Sequence, residues 1–260
     1  MEKWLEFEIN CTKYLNHTFG HKAHFVHLGG GDSTVPDIEV ETLTGRKFYI
    51  DVKCGNAQCG QFVLRADATK KCFVFSSKNK TKINSHVKKI INHMDADFES
   101  YIAAGRAGKE IDLGEDETFV RWIMETYLQK GAKFFITDNF TILSITDFPK
   151  HFSVTAIYRA KRSGSSKVGK TKTPQVLKYI QDNYQIKSHI SEDGKLFIFS
   201  PLNLNNKRFK LDGYEYMFAE RDGKYEIRKL SNTFNYNVIF KIQKKNKNGL
   251  TNQEFEQFLD

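Results

Sequence analysis

Apolar residues at Trp4, Leu5, Ile9, Tyr14 and Leu15 recur near the helical period and Gly20 follows them, so residues 3–18 are predicted to form an amphipathic helix ended by glycine. Ala23 to Leu28 has the composition of a strand, Gly29 to Thr34 that of a turn, and Pro36-Asp-Ile-Glu-Val opens a second strand. Thr44-Gly45 then turns the chain into Arg46 to Lys53, another run of strand formers, which makes a hairpin-like pair. Gly55 and Gly60 bracket an irregular loop, after which Gln61-Phe-Val-Leu either extends the sheet or opens a helix, and Lys71 to Ser76 reads as a strand. Between Lys82 and Gly105 the positions Ile83, Val87, Ile90, Ile91, Met94, Phe98, Tyr101 and Ile102 keep a helical period, which Phe119 to Leu128 repeats. Short strands follow at Ala132 to Asp138 and Phe140 to Ile145. The expected class is α/β, a mixed α+β sheet flanked by helices.

The pattern changes at Arg159 to Pro174, which is basic, rich in small residues and without a large apolar side chain apart from Val168. Such a stretch buries little surface by itself and reads as a linker, or as a loop ordered on a partner. Beyond it come a helix from Pro174 to Tyr184 and short aromatic strands around Leu196 to Ser200, Tyr214 to Phe218 and Tyr236 to Lys241. Charge marks the same division: residues 1–150 carry 20 Lys and Arg against 20 Asp and Glu, residues 151–260 carry 20 against 11, and the net charge of +9 lies in the latter. The expected organisation is therefore a core over 1–150 and a basic α+β C-terminal region over 151–260, either separate from the core or continuous with it, whose charge suits a polyanion.

Composition removes several classes. With 40% hydrophobic residues, 22 Phe and 11 Tyr, the 260-residue chain has ample core material. It lacks an apolar run long enough for a membrane helix and a signal-like N-terminus, which points to the cytoplasm. Cys54, Cys59 and Cys72 lack the paired spacing of a zinc site, and His17, His21, His24 and His27 lack that of a zinc hydrolase. Gly164, Gly169, Lys170 and Thr171 match the phosphate-loop spacing literally, but no apolar strand leads into them and Pro174 follows, so no nucleotide cofactor is expected.

The candidate chemistry is Pro36-Asp37 followed by Asp51-Val52-Lys53. On paired strands the two carboxylates lie near one another, and Asp51 and Lys53 share a face because side chains alternate. Two acids at a sheet edge offer oxygen ligands to a hard cation such as Mg²⁺. A neighbouring lysine can orient or help deprotonate the attacking water, or offset charge growing on a phosphate.

A helix carrying glutamate, a glycine-rich stretch before Pro36-Asp37, a hairpin of this length and the apolar lead-in Phe48-Tyr-Ile to Asp51-Val-Lys together resemble the PD-(D/E)XK nuclease superfamily, which includes type II restriction endonucleases and archaeal Holliday-junction resolvases. The resemblance covers roughly residues 1–75, with looser support to 150. It implies a restriction-endonuclease-like core, with Asp37 as central metal ligand, Asp51 as second acidic ligand, Lys53 as catalytic lysine and the Val52 carbonyl as a further ligand. The first-helix carboxylate of such families falls at Glu8, with Glu6 competing. Position 51 is Asp where Glu is commoner. The cofactor implied is Mg²⁺, one or two per site, with Mn²⁺ as substitute. Gln61 falls where several of these nucleases place a polar residue near the scissile phosphate.

Asp32, Ser33 and Thr34 are read as contacts to a DNA backbone or as turn stabilisers. Arg159, Lys161, Arg162, Lys167, Lys170 and Lys172, interleaved with Ser163, Ser165 and Ser166, form a credible phosphate-contact segment. Lys207, Arg208, Lys210, Lys244, Lys245 and Lys247 add further basic clusters. A core with a basic C-terminal region fits a Mg²⁺-dependent, site-specific double-stranded DNA endonuclease of the type II restriction kind, a homodimer if its target is palindromic. The alternatives are a structure-selective nuclease or resolvase with an added DNA-binding module, and a DNA-binding protein without catalysis.

Overall fold

The structure is a computed structural model that describes residues 3–29, 35–54, 56–245 and 248–260. Along the chain run α1 (Lys3–Phe19), β1 (Ala23–His27), β2 (Ile38–Thr42), β3 (Lys47–Val52), β4 (Gln58–Asp67), β5 (Cys72–Phe75), α2 (Ser85–Ala96), α3 (Phe98–Ala104), β6 (Lys109–Ile111), α4 (Glu117–Gln129), β7 (Ala132–Thr137), β8 (Thr141–Ser144) and α5 (Phe148–His151). Then follow β9 (Phe152–Arg162), β10 (Ser165–Lys167), α6 (Thr173–Asn183), β11 (Ser188–Glu192), β12 (Lys195–Phe199), β13 (Arg208–Leu211), β14 (Tyr214–Arg221), β15 (Lys224–Leu230), β16 (Phe234–Lys244) and α7 (Asn252–Leu259). Among the described residues no helix is long and apolar enough to cross a membrane.

Two compact units result, one of residues 1–159 and 236–260, the other of residues 160–235. Where the charge pattern placed a boundary at 150, the chain leaves the first unit along β9 and returns along β16. The reason lies in β9, whose alternate residues Phe152, Val154, Ala156, Tyr158 and Ala160 are buried. This period-two pattern carries the strand on through Arg162. Arg159 to Pro174 is accordingly neither linker nor free loop: it contains the end of β9, the short β10 paired with β15, and the start of α6.

The first unit holds two five-stranded sheets, in the orders β1-β2-β3-β7-β8 and β5-β4-β16-β9-β6. β3 and β7 run parallel while the other pairs of the first sheet are antiparallel. One face of that sheet packs on α1 and α7 through Leu15, Phe19, Phe25, Ile50, Phe134 and Phe255. Its other face contributes Phe135 and Leu143 to a second core, filled by α2, α3 and α4 and closed by the second sheet. Helix α1 buries Cys11, Leu15 and Phe19, leaving Trp4 47% exposed, so the inward stripe is rotated from the one the apolar positions suggested. The helical stretch expected from Lys82 to Gly105 is two helices that meet at Asp97. Asn84 starts the first by accepting the Val87 N–H at 2.9 Å.

Gln61 to Leu64, left open between strand and helix, belongs to β4. Gly60 takes a positive φ of 99° there, and a Cβ on it would sit 2.9 Å from the Trp122 ring. That ring is 1% exposed and stacked on Phe240 at 4.3 Å, so it has no room to withdraw. Gly60→Ala is therefore expected to destabilise the protein by about 1–3 kcal/mol, read as a lower urea midpoint at unchanged slope.

In the second unit β11-β12-β15-β14-β13 form a sheet to which β10 adds through β15. Helix α6 covers one face with Val176 and Ile180 against Leu196, Ile198, Phe218 and Ile227. Phe209 is stacked between Tyr179 at 5.0 Å and Tyr216 at 5.2 Å. This unit carries 15 Lys and Arg against 8 Asp and Glu, so most of the net positive charge of +9 lies in it.

Candidate active site

The hairpin brings the expected residues together. β2 and β3 pair with Ile38 opposite Ile50, which sets Asp37, one residue before β2, beside Asp51. The Asp37 carbonyl accepts the Leu28 N–H at 2.9 Å and its carboxylate accepts the Val52 N–H at 2.8 Å, so its backbone and side chain are both fixed. Asp51 is 4% exposed and forms an ion pair with Lys53, whose Nζ donates to the Val52 carbonyl at 3.2 Å and stands 4.0 Å from Asp37. Parallel pairing with β7 holds this end of β3, because the Lys53 N–H donates to the Ile136 carbonyl at 2.9 Å.

Glu8 falls on the inward stripe of α1, at helical spacing from Cys11, Thr12, Leu15 and Phe19, whereas Glu6 is exposed. A carboxylate on a buried stripe needs a partner, and His27 of β1 lies 3.1 Å from it. Glu8 is therefore the helix carboxylate that faces inward.

Electrostatics couple these groups. Burial is the largest influence raising the Asp37 carboxyl above its usual range; Glu8 adds to it, while Lys53, the Val52 N–H and His27 oppose it. Asp51 is pushed up to about 6, first by burial and then by Asp37 against the pull of Lys53. Burial disfavours the Lys53 ammonium, yet Asp51, Tyr127, Cys59 and Asp37 together hold it well above its ordinary value. Lys53 therefore keeps its proton at neutral pH.

Helix α4 and its C-cap supply two residues that the sequence reading missed. The buried Tyr127 ring lies 5.5 Å from Lys53 Nζ and 4.9 Å from Lys130 Nζ, and burial lowers the Lys130 ammonium while Asp51 supports it. Neither carries a local signal, since both arrive from across the chain. His27 had one, its place one strand after Glu8, but no metal spacing to single it out.

The donor set can be tested for a divalent cation. The Asp51 carboxylate, the Val52 carbonyl and the Asp37 carboxylate all surround one positive charge, the Lys53 ammonium. These are hard oxygen donors of the kind Mg²⁺ takes, and they already converge on a cation, so they fit. As they stand, no three His, Cys, Asp or Glu among the described residues are grouped closely enough to hold a metal. A metal would therefore share or take the place of the ammonium.

Gln61 is on β4 opposite Ile239, with its side chain 3.4 Å from Gln58. Asp32, Ser33, Thr34 and Lys247 lie outside the described residues. Much of the basic segment is engaged within the protein. Arg159 donates to the Arg106 carbonyl at 3.0 Å, Arg162 pairs with Glu215, and Lys167 donates to the Asp193 carbonyl at 2.7 Å. Lys170 and Lys172 lie 3.6 Å and 3.4 Å from Asp193 and Asp212, and Lys161 also has a partner. Ser163 bonds Ser231 at 2.9 Å, Ser165 accepts from Arg228, and Ser166 is exposed on β10.

No protein-family model and no curated protein matches the chain. Among solved structures it is similar to an HhaI endonuclease in complex with DNA, with 38% sequence identity and a TM-score of 0.82 over 99% of this chain and 98% of that one. Identity of that size over practically the whole of both chains places the protein in the family of the HhaI endonuclease.

Proposed function

We propose that the protein is a Mg²⁺-dependent, site-specific endonuclease of double-stranded DNA, of the type II restriction kind, with a PD-(D/E)XK active site at Asp37, Asp51 and Lys53. The observation that carries this reading is the convergence of the Asp37 and Asp51 carboxylates and the Val52 carbonyl on one cation, in a chain of the HhaI endonuclease family. That relative was solved with DNA, and the 15 basic against 8 acidic residues of the second unit suit the same polymer.

Asp37, Asp51 and the Val52 carbonyl would hold a divalent ion, which would supply Lewis-acid polarisation of the scissile phosphate. The protein's own groups do the rest. Lys53, whose ammonium form the neighbouring Asp51 favours, acts as a cation that orients water and offsets charge on the phosphate. Asp37, tied to the Val52 N–H, fixes the register of the two acids. Glu8, held by His27, adds a third carboxylate whose charge reaches Asp37.

Incubation with unmethylated plasmid and phage DNA tests this, in Mg²⁺ and in EDTA. The expected result is a set of discrete fragments formed in Mg²⁺ alone, whose ends share one sequence. Intact linear duplex in both Mg²⁺ and Mn²⁺, with cleavage of branched DNA, would replace this reading by a structure-selective nuclease; no cleavage of either would overturn it.

A further inference from the structure

Away from these carboxylates, the second unit contains a cavity of about 390 Å³. Its wall includes the hydroxyl residues Ser163, Ser165, Ser166 and Ser231, with Tyr214 and Lys229, and no acidic residue. Backbone pairing builds it: β10 lies against β15 with Ser166 opposite Lys229, which puts those two side chains on one face, and the Ser231 N–H donates to the Gly164 carbonyl at 2.9 Å.

Charge balance distinguishes Lys229 from its neighbours. Arg228 is paired with Glu226 at 2.6 Å and Arg162 with Glu215. Lys229 has no carboxylate partner among the described residues; its ammonium lies 3.5 Å from the centroid of the Tyr214 ring. A cation without a counter-charge, beside several hydroxyls and no carboxylate, is chemically complementary to an oxyanion.

We propose that this cavity binds a phosphate group of the nucleic-acid backbone, with Lys229 as its charge partner and the serine hydroxyls as donors. The anion chemistry follows from the cavity itself, and its assignment to a DNA phosphodiester rests on the nuclease reading. A contact of this kind adds affinity and register without selecting a base.

The test compares the full-length wild-type protein with Lys229→Met, using Lys178→Met, which removes an exposed charge from α6, as the control for net charge. Binding to a short DNA duplex is followed in EDTA by fluorescence anisotropy across a salt series. Lys229→Met should weaken binding about fivefold, equally for unrelated sequences, and reduce the slope of log affinity against log salt by about 1, with a smaller effect from Lys178→Met. An unchanged slope, an equal effect from Lys178→Met, or a loss confined to one sequence would overturn the proposal. Should Lys229→Met lower the Tm, Ser166→Ala on the exposed strand takes its place, with weaker binding expected and unchanged binding overturning. If the wild-type protein binds no duplex, the nuclease reading fails and inorganic phosphate decides about the cavity. Shifts of the Gly164 and Ser231 amide resonances with phosphate, lost in Lys229→Met, would then support an anion site, and their absence would overturn it.

Discussion

Asp37→Asn should lower Mg²⁺-dependent cleavage at least about 10³-fold while leaving the protein folded and bound to DNA. The asparagine keeps an oxygen to accept the Val52 N–H, now 2.8 Å from the carboxylate, so the β2–β3 geometry survives. Only the charge is removed. Because burial holds the Asp37 carboxyl above its usual range, the fold disfavours its ionised form, and a neutral isostere relieves that cost at neutral pH. The Tm of the variant should equal or exceed that of the wild type in EDTA. DNA affinity should hold or rise slightly, since one negative charge leaves a protein that binds a polyanion. Cleavage measured in single turnover, with Tm and anisotropy on the same samples, checks all three. Wild-type cleavage by this variant would remove Asp37 from the chemistry, and loss of cleavage together with loss of fold would make its role structural.

The part of the candidate site carried by the β2–β3 hairpin and its flanking residues was legible because the information is local. Asp37, Asp51 and Lys53 lie within 17 residues of chain, around one turn at Thr44-Gly45, and strand alternation alone puts Asp51 and Lys53 on a common face. Glu8 was legible as a candidate, and burial separates it from Glu6, since one lies on the inward stripe of α1 and the other does not.

What remained hidden depends on contacts between distant segments. Nothing near Tyr236 announces that it faces Leu64, a pairing that completes the second sheet and draws the C-terminal strand back into the first unit. Tyr127 and Lys130 reach the site on a helix and its C-cap, where the local pattern reports only that the helix is amphipathic. The basic segment misled for a different reason. Its composition suggested a linker or a loop ordered on a partner, but β9 carries polar residues on its outward positions, and many of the cations find partners within the protein. Thr251 and Glu254 form a capping box at the start of α7, a local signal that the sequence does carry.

Lys53→Met separates the structural and chemical roles of the lysine. Asp51 is 4% exposed, and Lys53 is its ion-pair partner. Removing one member of a buried pair costs about 3–5 kcal/mol, because the other is left charged without compensation. The carboxyl can escape by taking up a proton, which against a free aspartate costs about 4 kcal/mol at pH 7 and about 1.5 kcal/mol at pH 5. Loss of Lys53 removes the influence that holds Asp51 down at about 6 against burial and Asp37, so proton uptake is favoured further. In EDTA the variant should therefore be clearly less stable than the wild type at pH 7, with the gap narrowing as the pH falls to 5. Mg²⁺ should raise the Tm of the variant more than that of the wild type, since the oxygens that held the ammonium are free to receive the ion. Cleavage should stay about 10²- to 10⁴-fold below wild type even in saturating Mg²⁺, because the metal restores the charge balance of the carboxylates but not the cation facing the phosphate. A variant as stable as the wild type in EDTA would contradict the pairing, and one that cleaves normally in Mg²⁺ would leave Lys53 with a structural role alone.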